Sequence, residues 1–271
     1  HHGLNMRLTG RQPSGATLKS PKELDLMRRA GQVVASAKAR VRDAVAPGVT
    51  TRELDQIAES EIRKAGAIPS FKGYMGMSSI PFPGCICASL NEQIVHGIPG
   101  DRILRNGDLL SVDVGAIVDG FHGDSAFTVG VGNISEEAQN LIDATREALQ
   151  VGIAQVDVNS RVGDISAAVQ EFSESRGYSV VRQYVGHGIG REMHEEPQIP
   201  NYGKPGRGPL LRNGMAIAIE PMLNVGGWET TQLDDGWTVV TADGSLSAHF
   251  EDTIAITDNG AEILTRSEES P

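Results

Sequence analysis

A tetrapeptide that occurs twice sets the first constraint on this chain. Leu104-Arg105-Asn106-Gly107 returns as Leu211-Arg212-Asn213-Gly214, and the residue six places beyond each glycine is an acid, Asp113 and then Glu220. His96-Gly97-Ile98 likewise returns as His187-Gly188-Ile189. Two repeats kept in the same order point to two halves of one plan, related by a pseudo-two-fold axis, each delivering an acid from a strand. Such halves must share a sheet system to bury their apolar faces, so the expectation is one α+β domain.

The elements repeat as well. Ser20-Pro21-Lys22-Glu23 is a capping box with proline at the first helical position. Leu24, Met27, Gly31, Val34, Val41 and Val45 follow at helical spacing until Pro47-Gly48. Thr50 with Glu53 opens a second helix, which turns Leu54, Ile57, Ala58 and Ile62 inward and stops at Gly66. Residues 67–90 read as loop around a short strand. The period then changes to two: 109–118 and 121–131 are strands joined by Asp119-Gly120, a hairpin signal. Ser135 caps a third helix and a fourth lies near 164–176. Segments 178–185, 215–225, 237–242 and 245–257 read as strands, the last two joined at Asp243-Gly244. Helix, helix, strands therefore runs twice.

Composition narrows the function. With 39% hydrophobic and 22% charged residues the chain is globular in type. A formal charge of −11 disfavours a direct nucleic-acid site. Two cysteines, Cys85 and Cys87, make neither a disulfide framework nor a zinc finger. No apolar run approaches the roughly 18–20 residues of a membrane span, and a cytoplasmic protein is expected. His1-His2-Gly3 running to Met6 reads as a tag remnant. Residues 1–19 are accordingly an N-terminal extension, and 20–271 a single catalytic domain.

Five ionisable residues sit where the pattern calls for apolar ones or where the backbone is constrained. Asp113 interrupts Leu109-Leu110-Ser111-Val112, Glu220 closes Ala216-Ile217-Ala218-Ile219, and Glu251 precedes Thr253-Ile254-Ala255-Ile256. Asp124 lies in the returning strand, and His187 is held between Gly186 and Gly188. Singly, each has an ordinary reading as a wet-face acid or a packed histidine. Together they demand more. A two-residue turn at 119–120 pairs 115 with 124 and 113 with 126, so Asp113 and Asp124 are diagonal neighbours on one face, roughly 7–8 Å apart at Cα. Burying them uncompensated costs on the order of several kcal/mol per ion. Yet no Lys or Arg occurs between Arg105 and Arg146, or between Arg212 and Arg266, the stretches that hold all four acids.

A cation could fold back from elsewhere, but metal is the simpler compensation. Four carboxylates and one neutral imidazole nearly balance two divalent ions. The donor set, mostly oxygen, suits Mn, Fe(II), Co or Zn in a dinuclear site rather than a structural zinc. The sequence also lacks the H-E-x-x-H of single-zinc proteases. His122 shares the face of Asp124 by alternation and is open to a ligand role. His249 reads as a surface residue and Cys85 as packing, while Cys87 is either core filler or pocket lining.

Tyr184-Val185-Gly186-His187-Gly188-Ile189-Gly190, then His194-Glu195-Glu196-Pro197, resembles the signature of the type I methionine aminopeptidases. Asn91-Glu92-Gln93-Ile94-Val95-His96-Gly97-Ile98-Pro99, Asp119-Gly120-Phe121-His122-Gly123-Asp124, Ile219-Glu220-Pro221-Met222 and Asp235-Gly236-Trp237-Thr238-Val239 followed by Glu251 match it too. The resemblance runs from about residue 20 to 265. Glu220 follows His187 by only 33 positions, which leaves no room for the helical insertion of the type II enzymes.

The resemblance implies a pita-bread fold, with two pseudo-two-fold-related helix-helix-strand halves around a curved antiparallel sheet. It makes Asp113, Asp124, His187, Glu220 and Glu251 the ligands of two divalent ions. His96 and His194 become substrate-contacting catalytic histidines, and Glu220 the catalytic base. It places a monovalent cation near Asn91, Gln93 and Ser247, and a methionine pocket at Phe71, Tyr74, Met77, Cys87, Met193 and Trp237. The implied reaction is removal of the initiator methionine, when the second residue is small, by a hydroxide held on the metals. His194 stabilises the oxyanion and His96 holds the leaving nitrogen. The implied partners are N-termini of nascent proteins and peptides, with transient ribosome association, for a monomer away from membranes.

Residues 75–86 are some four longer than the family pattern, Met77 replaces a usual tyrosine, and Met193 stands where phenylalanine is common. Two other readings compete. One is another pita-bread hydrolase, of creatinase or Xaa-Pro type; the other is a metal-free module that binds ribosomes, RNA or histones. The presence of all five ligand residues speaks against the module.

Overall fold

The caps read from the sequence do start helices in the computed structural model, which describes residues 15–267. Helix α1 (Pro21–Ala44) begins with Glu23 N donating to Ser20 Oγ at 3.1 Å and Ser20 N donating to Glu23 Oε1 at 2.9 Å. Helix α2 (Thr51–Lys64) begins with the same reciprocal pair between Thr50 and Glu53. Ser135 caps α3 (Glu136–Ile153). Helix α4 (Val162–Ser175) starts two residues before the expected position, because Asp164 is its third residue and accepts from Arg161 N at 2.7 Å. The tag-like start and the rest of residues 1–14 lie outside the described residues. From residue 15 the chain is packed: Ala16 joins the core and Lys19 N donates to Gly214 O at 2.7 Å.

The hairpin forms in the expected register. Val118 pairs with Phe121, Gly115 with Asp124 and Asp113 with Ala126, and both turn residues take positive φ, Asp119 at 46° and Gly120 at 85°. On its other side strand Leu109–Val118 pairs with Ile86–Leu90, setting Cys87 opposite Asp113. The second half builds a five-stranded sheet in the order Gly260–Ile263, Asp252–Thr257, Ala216–Ile219, Gly186–Gly188, Glu195–Ile199. The halves meet where Ala126 bridges Glu251 and where Thr253 Oγ1 donates to Asp124 O at 2.7 Å. Among the described residues every strand pair is antiparallel, but the strands hydrogen-bond in four groups instead of one continuous sheet.

Helices α1 and α2 pack together, with α1 against the hairpin, and α3 packs on α4. One apolar cluster runs through both halves, joining Leu54, Leu110 and Val112 to Leu141, Ile217 and Ile254. A side chain at Gly31 of α1 would put its Cβ 2.0 Å from Leu264 O, so glycine lets the C-terminal segment press onto the helix.

Three expected strands are broken. Only Ser179–Val180 of 178–185 is strand before Gly186–Gly188; 215–225 is interrupted at Glu220-Pro221 and 245–257 at Phe250-Glu251. Proline removes a ladder donor at the first break. Glu220 sits where the ladder lapses, whereas Glu251 leaves its own strand to bridge Ala126 of the other half. Among the described residues no helix is long and apolar enough to cross a membrane.

Candidate metal centre and active site

The two halves bring their acids together. One ligand atom each of Asp124, His187, Glu220 and Glu251 lie mutually within 4.8 Å, as do those of Asp113, His249 and Glu251. Glu251 belongs to both groups. All five residues expected as ligands are therefore in one cluster, with His249 added. His187 Nδ1 lies 2.8 Å from Gly188 O, an acceptor, so that nitrogen carries the proton. Its Nε2 then faces Glu220 Oε2 at 3.2 Å, Glu251 Oε2 at 3.7 Å and Asp124 Oδ2 at 3.8 Å.

The cluster is buried and undercompensated. Asp113 Oδ1, Asp124 Oδ1 and both Glu251 carboxylate oxygens are buried without a hydrogen-bond partner. Burial, together with the neighbouring acids, pushes Asp113 and Glu251 well above the usual carboxylate range. Burial alone would raise Glu220 too, but its contacts with Glu251, His187 and His249 outweigh that and hold it well below. The alternative of a cation folding back is met only in part. Lys38 reaches in from α1, yet its Nζ lies 2.7 Å from Ser125 Oγ and 4.0 Å from Asp252, not on the four acids. Partnerless carboxylate oxygens gathered around an imidazole nitrogen fit divalent ions.

Two sequence expectations need correction. His249, expected at the surface, is 2% exposed. Thr128 Oγ1 donates to His249 O and accepts from His249 N, which anchors the backbone, and the side chain points inward. Its position two residues before Glu251 was the signal, since alternation puts both on one face. His122, left open as a ligand, is in neither group; it is buried and its Nδ1 lies 2.9 Å from Ser70 Oγ.

The acids floor a cavity of about 920 Å³ that opens past His96 and His194. Its apolar wall is the cluster Phe71, Phe82, Cys87, Met193 and Trp237, with Tyr74 and Ile98 against it. Five of the six expected pocket residues are here; Phe82 and Ile98 were not foreseen. Met77 is the exception. It lines the cavity rim but is fully exposed, because the turn after Tyr74 carries it outward, and it does not close the wall. Cys87 is in this wall, and Cys85 is buried beside Asp55, which accepts from its N–H.

His96 takes positive φ (63°) and stands edge-on to Tyr184 and Trp237, at 5.6 and 6.0 Å between ring centres. A Cβ on Gly97 would lie 2.1 Å from Ala88 O, so glycine is what lets this turn press against the sheet. His194 stands over the His187 ring at 4.4 Å, with Tyr74 Oη 2.8 Å from its Nδ1. Desolvation brings both His96 and His194 down to about 4, so both are neutral near pH 7. Away from the cavity, Ser247 N donates to Asn91 O at 3.1 Å and Leu90 N to Gln93 Oε1 at 2.8 Å, while Ser247 Oγ is buried without a partner.

Comparison with known proteins agrees with this geometry. Residues 25–258 match the model of metallopeptidase family M24. The chain is 54% identical to the methionine aminopeptidase of Clostridium perfringens, covering 92% of this chain and 98% of that one. It is 52% identical to methionine aminopeptidase 1 of Bacillus subtilis at the same coverage. The crystal structure of methionine aminopeptidase from Thermotoga maritima superimposes with a TM-score of 0.90 at 46% identity, over 93% of this chain and all of that one. The fold is thus the pita-bread fold, and this chain belongs to metallopeptidase family M24, on the branch of the methionine aminopeptidases.

Proposed function

We infer that this chain is a metal-dependent aminopeptidase that removes an N-terminal methionine from proteins and peptides whose second residue is small. One observation carries the reading: partnerless buried carboxylates floor a cavity whose wall is an apolar cluster. Asp113, Asp124, His187, Glu220 and Glu251 would hold two divalent ions, Co, Mn, Fe(II) or Zn. When bound, such ions supply a water acidified toward neutrality and polarise the scissile carbonyl.

The chain's own groups do the rest. Phe71, Tyr74, Cys87, Met193 and Trp237 take the methionine side chain and exclude water from it. Tyr74 Oη donates to His194 Nδ1, which leaves His194 Nε2–H free to donate to the carbonyl oxygen as charge develops there. Glu220 accepts the proton of the attacking water and returns it to the leaving nitrogen. Its strongly acidic carboxyl before metal binding means that it enters ionised. Neutral His96 orients the scissile amide nitrogen. The Tyr184 and Trp237 rings flank it, so a large second residue would meet them.

The partnerless Ser247 Oγ, beside the Asn91 and Gln93 backbone, supports a monovalent cation there. Residues 20–271 form the catalytic domain, with 15–19 as its packed lead-in. The enzyme works in the cytoplasm as a monomer on the N-termini of nascent chains, with transient ribosome association. The test is kcat/KM for Met-Ala-Ser, Met-Leu-Ser and Ala-Pro-Ser with divalent metal present. Preference for the first supports the reading, equal rates on the first two remove the small-residue rule, and preference for the third replaces it with an Xaa-Pro activity.

A further inference from the structure

His249 enters the acid cluster beside Asp113 and Glu251. Its strand, Ser247–His249, pairs with Met222–Asn224, setting His249 opposite Met222 two residues beyond Glu220. Thr128, itself 2.8 Å from Ser111 Oγ, clamps the His249 backbone through both N and O. The ring is thus held in place, 2% exposed, with its Nε2 buried and without a hydrogen-bond partner. Glu220 Oε1, at 3.7 Å, is too distant to satisfy it. A buried imidazole nitrogen left unpaired costs about 1–3 kcal/mol. A hydrophobic residue or a paired amide would avoid that cost, so the position of this nitrogen needs a reason.

The reason lies in its other neighbours. His249, Asp113 and Glu251 each place a ligand atom mutually within 4.8 Å, the same closeness that joins His187 to Asp124, Glu220 and Glu251. The two groups share Glu251 and each contains one histidine. We propose that His249 is a sixth metal ligand, its Nε2 completing the half of the centre formed by Asp113 and Glu251. The inference rests on reading the cluster as a dinuclear metal centre. A neutral imidazole adds no charge, so the balance of four carboxylates against two divalent ions is unchanged. It raises the nitrogen content of that half, favouring Co, Fe(II) and Zn over Mn there.

The rival role for His249 is to hydrogen-bond Glu220 and hold it in place. His249→Gln separates the two, because an amide can donate to a carboxylate but is a poor ligand. The measurement is a calorimetric titration of chelator-treated protein with Co²⁺, paired with the visible absorption of the bound ion. Wild type, His249→Gln and His249→Ala are compared, with thermal melts of the metal-free forms to verify folding. The expected result is two bound ions in wild type. In both variants the ion held by Asp124, His187 and Glu220 keeps its affinity. The other weakens by about tenfold or more, and its absorption changes. Should His249→Gln bind both ions with wild-type affinity and spectrum, His249 is not a ligand. Recovery in Gln of what Ala loses would likewise assign it to Glu220. If wild type itself binds no divalent ion, the metal reading of the whole cluster fails, a result distinct from either.

Discussion

The contact between Tyr74 and His194 offers a graded test of how the carbonyl oxygen is stabilised. Tyr74 Oη lies 2.8 Å from His194 Nδ1, and the imidazole, brought down to about 4, is neutral at working pH. Only one ring nitrogen then carries hydrogen, and it is Nε2 when the tyrosine hydroxyl donates to Nδ1. His194→Ala removes one oxyanion donor and should lower kcat by about 10²–10³. Tyr74→Phe keeps the ring in the pocket wall and deletes only the hydroxyl. A hydrogen bond of this kind contributes about 1 kcal/mol net, so kcat should fall about fivefold. Because the hydroxyl acts through the histidine, adding Tyr74→Phe to His194→Ala should cost nothing more. Steady-state kinetics on Met-Ala-Ser, with metal content measured for each variant, reads all three. A tenfold further loss in the double variant would refute the coupling. Loss of metal from His194→Ala would make that residue a ligand and overturn its assigned role.

The same site sets three other outcomes. Glu251→Gln, which alters the acid common to both ligand groups, should reduce bound metal from about two ions to one or none and abolish turnover; full occupancy by elemental analysis would remove Glu251 from the centre. His96 falls from 6.5 unfolded to about 4 folded, so the unfolded chain binds more protons between those values. Stability is therefore complete above about 6.5 and declines as pH falls through 4, by on the order of 3 kcal/mol from this group; urea melts of His96→Gln should lose that part of the acid dependence, and an unchanged pH profile would contradict it. Met77→Ser, at a fully exposed position, should leave kcat/KM on Met-Ala-Ser within about twofold, whereas Met193→Ala in the wall should lower it by about tenfold or more; equal losses would place Met77 in the pocket after all.

Much of this fold is local in origin, and that part was legible. Reciprocal caps at Ser20/Glu23 and Thr50/Glu53 are chain-neighbour hydrogen bonds, and Asp119-Gly120 fixes the register that sets Asp113 near Asp124. Strand Glu195–Ile199 was missed because its pairing with Gly186–Gly188 overrides a polar, proline-containing sequence that has no strand pattern of its own. The breaks at Glu220 and Glu251 escaped notice because apolar runs on either side read straight through them. Charge balance was legible in outline: the basic-free stretches pointed to the acid cluster, but Lys38 of α1, remote in sequence, lies close behind it. The inward face of His249 was legible from its place two residues before Glu251, whereas its closeness to Asp113 is set only by the tertiary fold. Met77 failed because a resemblance assigns positions and the longer loop carries this one out of the wall.

On the proposed function the buried acids hold metal, and the metal makes the site active. Protein stripped with a chelator should release no methionine from Met-Ala-Ser. Titrating Co²⁺ or Mn²⁺ back should restore release in proportion to metal bound, and the loaded protein should melt higher, by about 2.7 kcal/mol of added stability at a hundredfold excess over Kd. Full activity in the stripped protein, or metal binding that leaves methionine release at zero, would contradict the account.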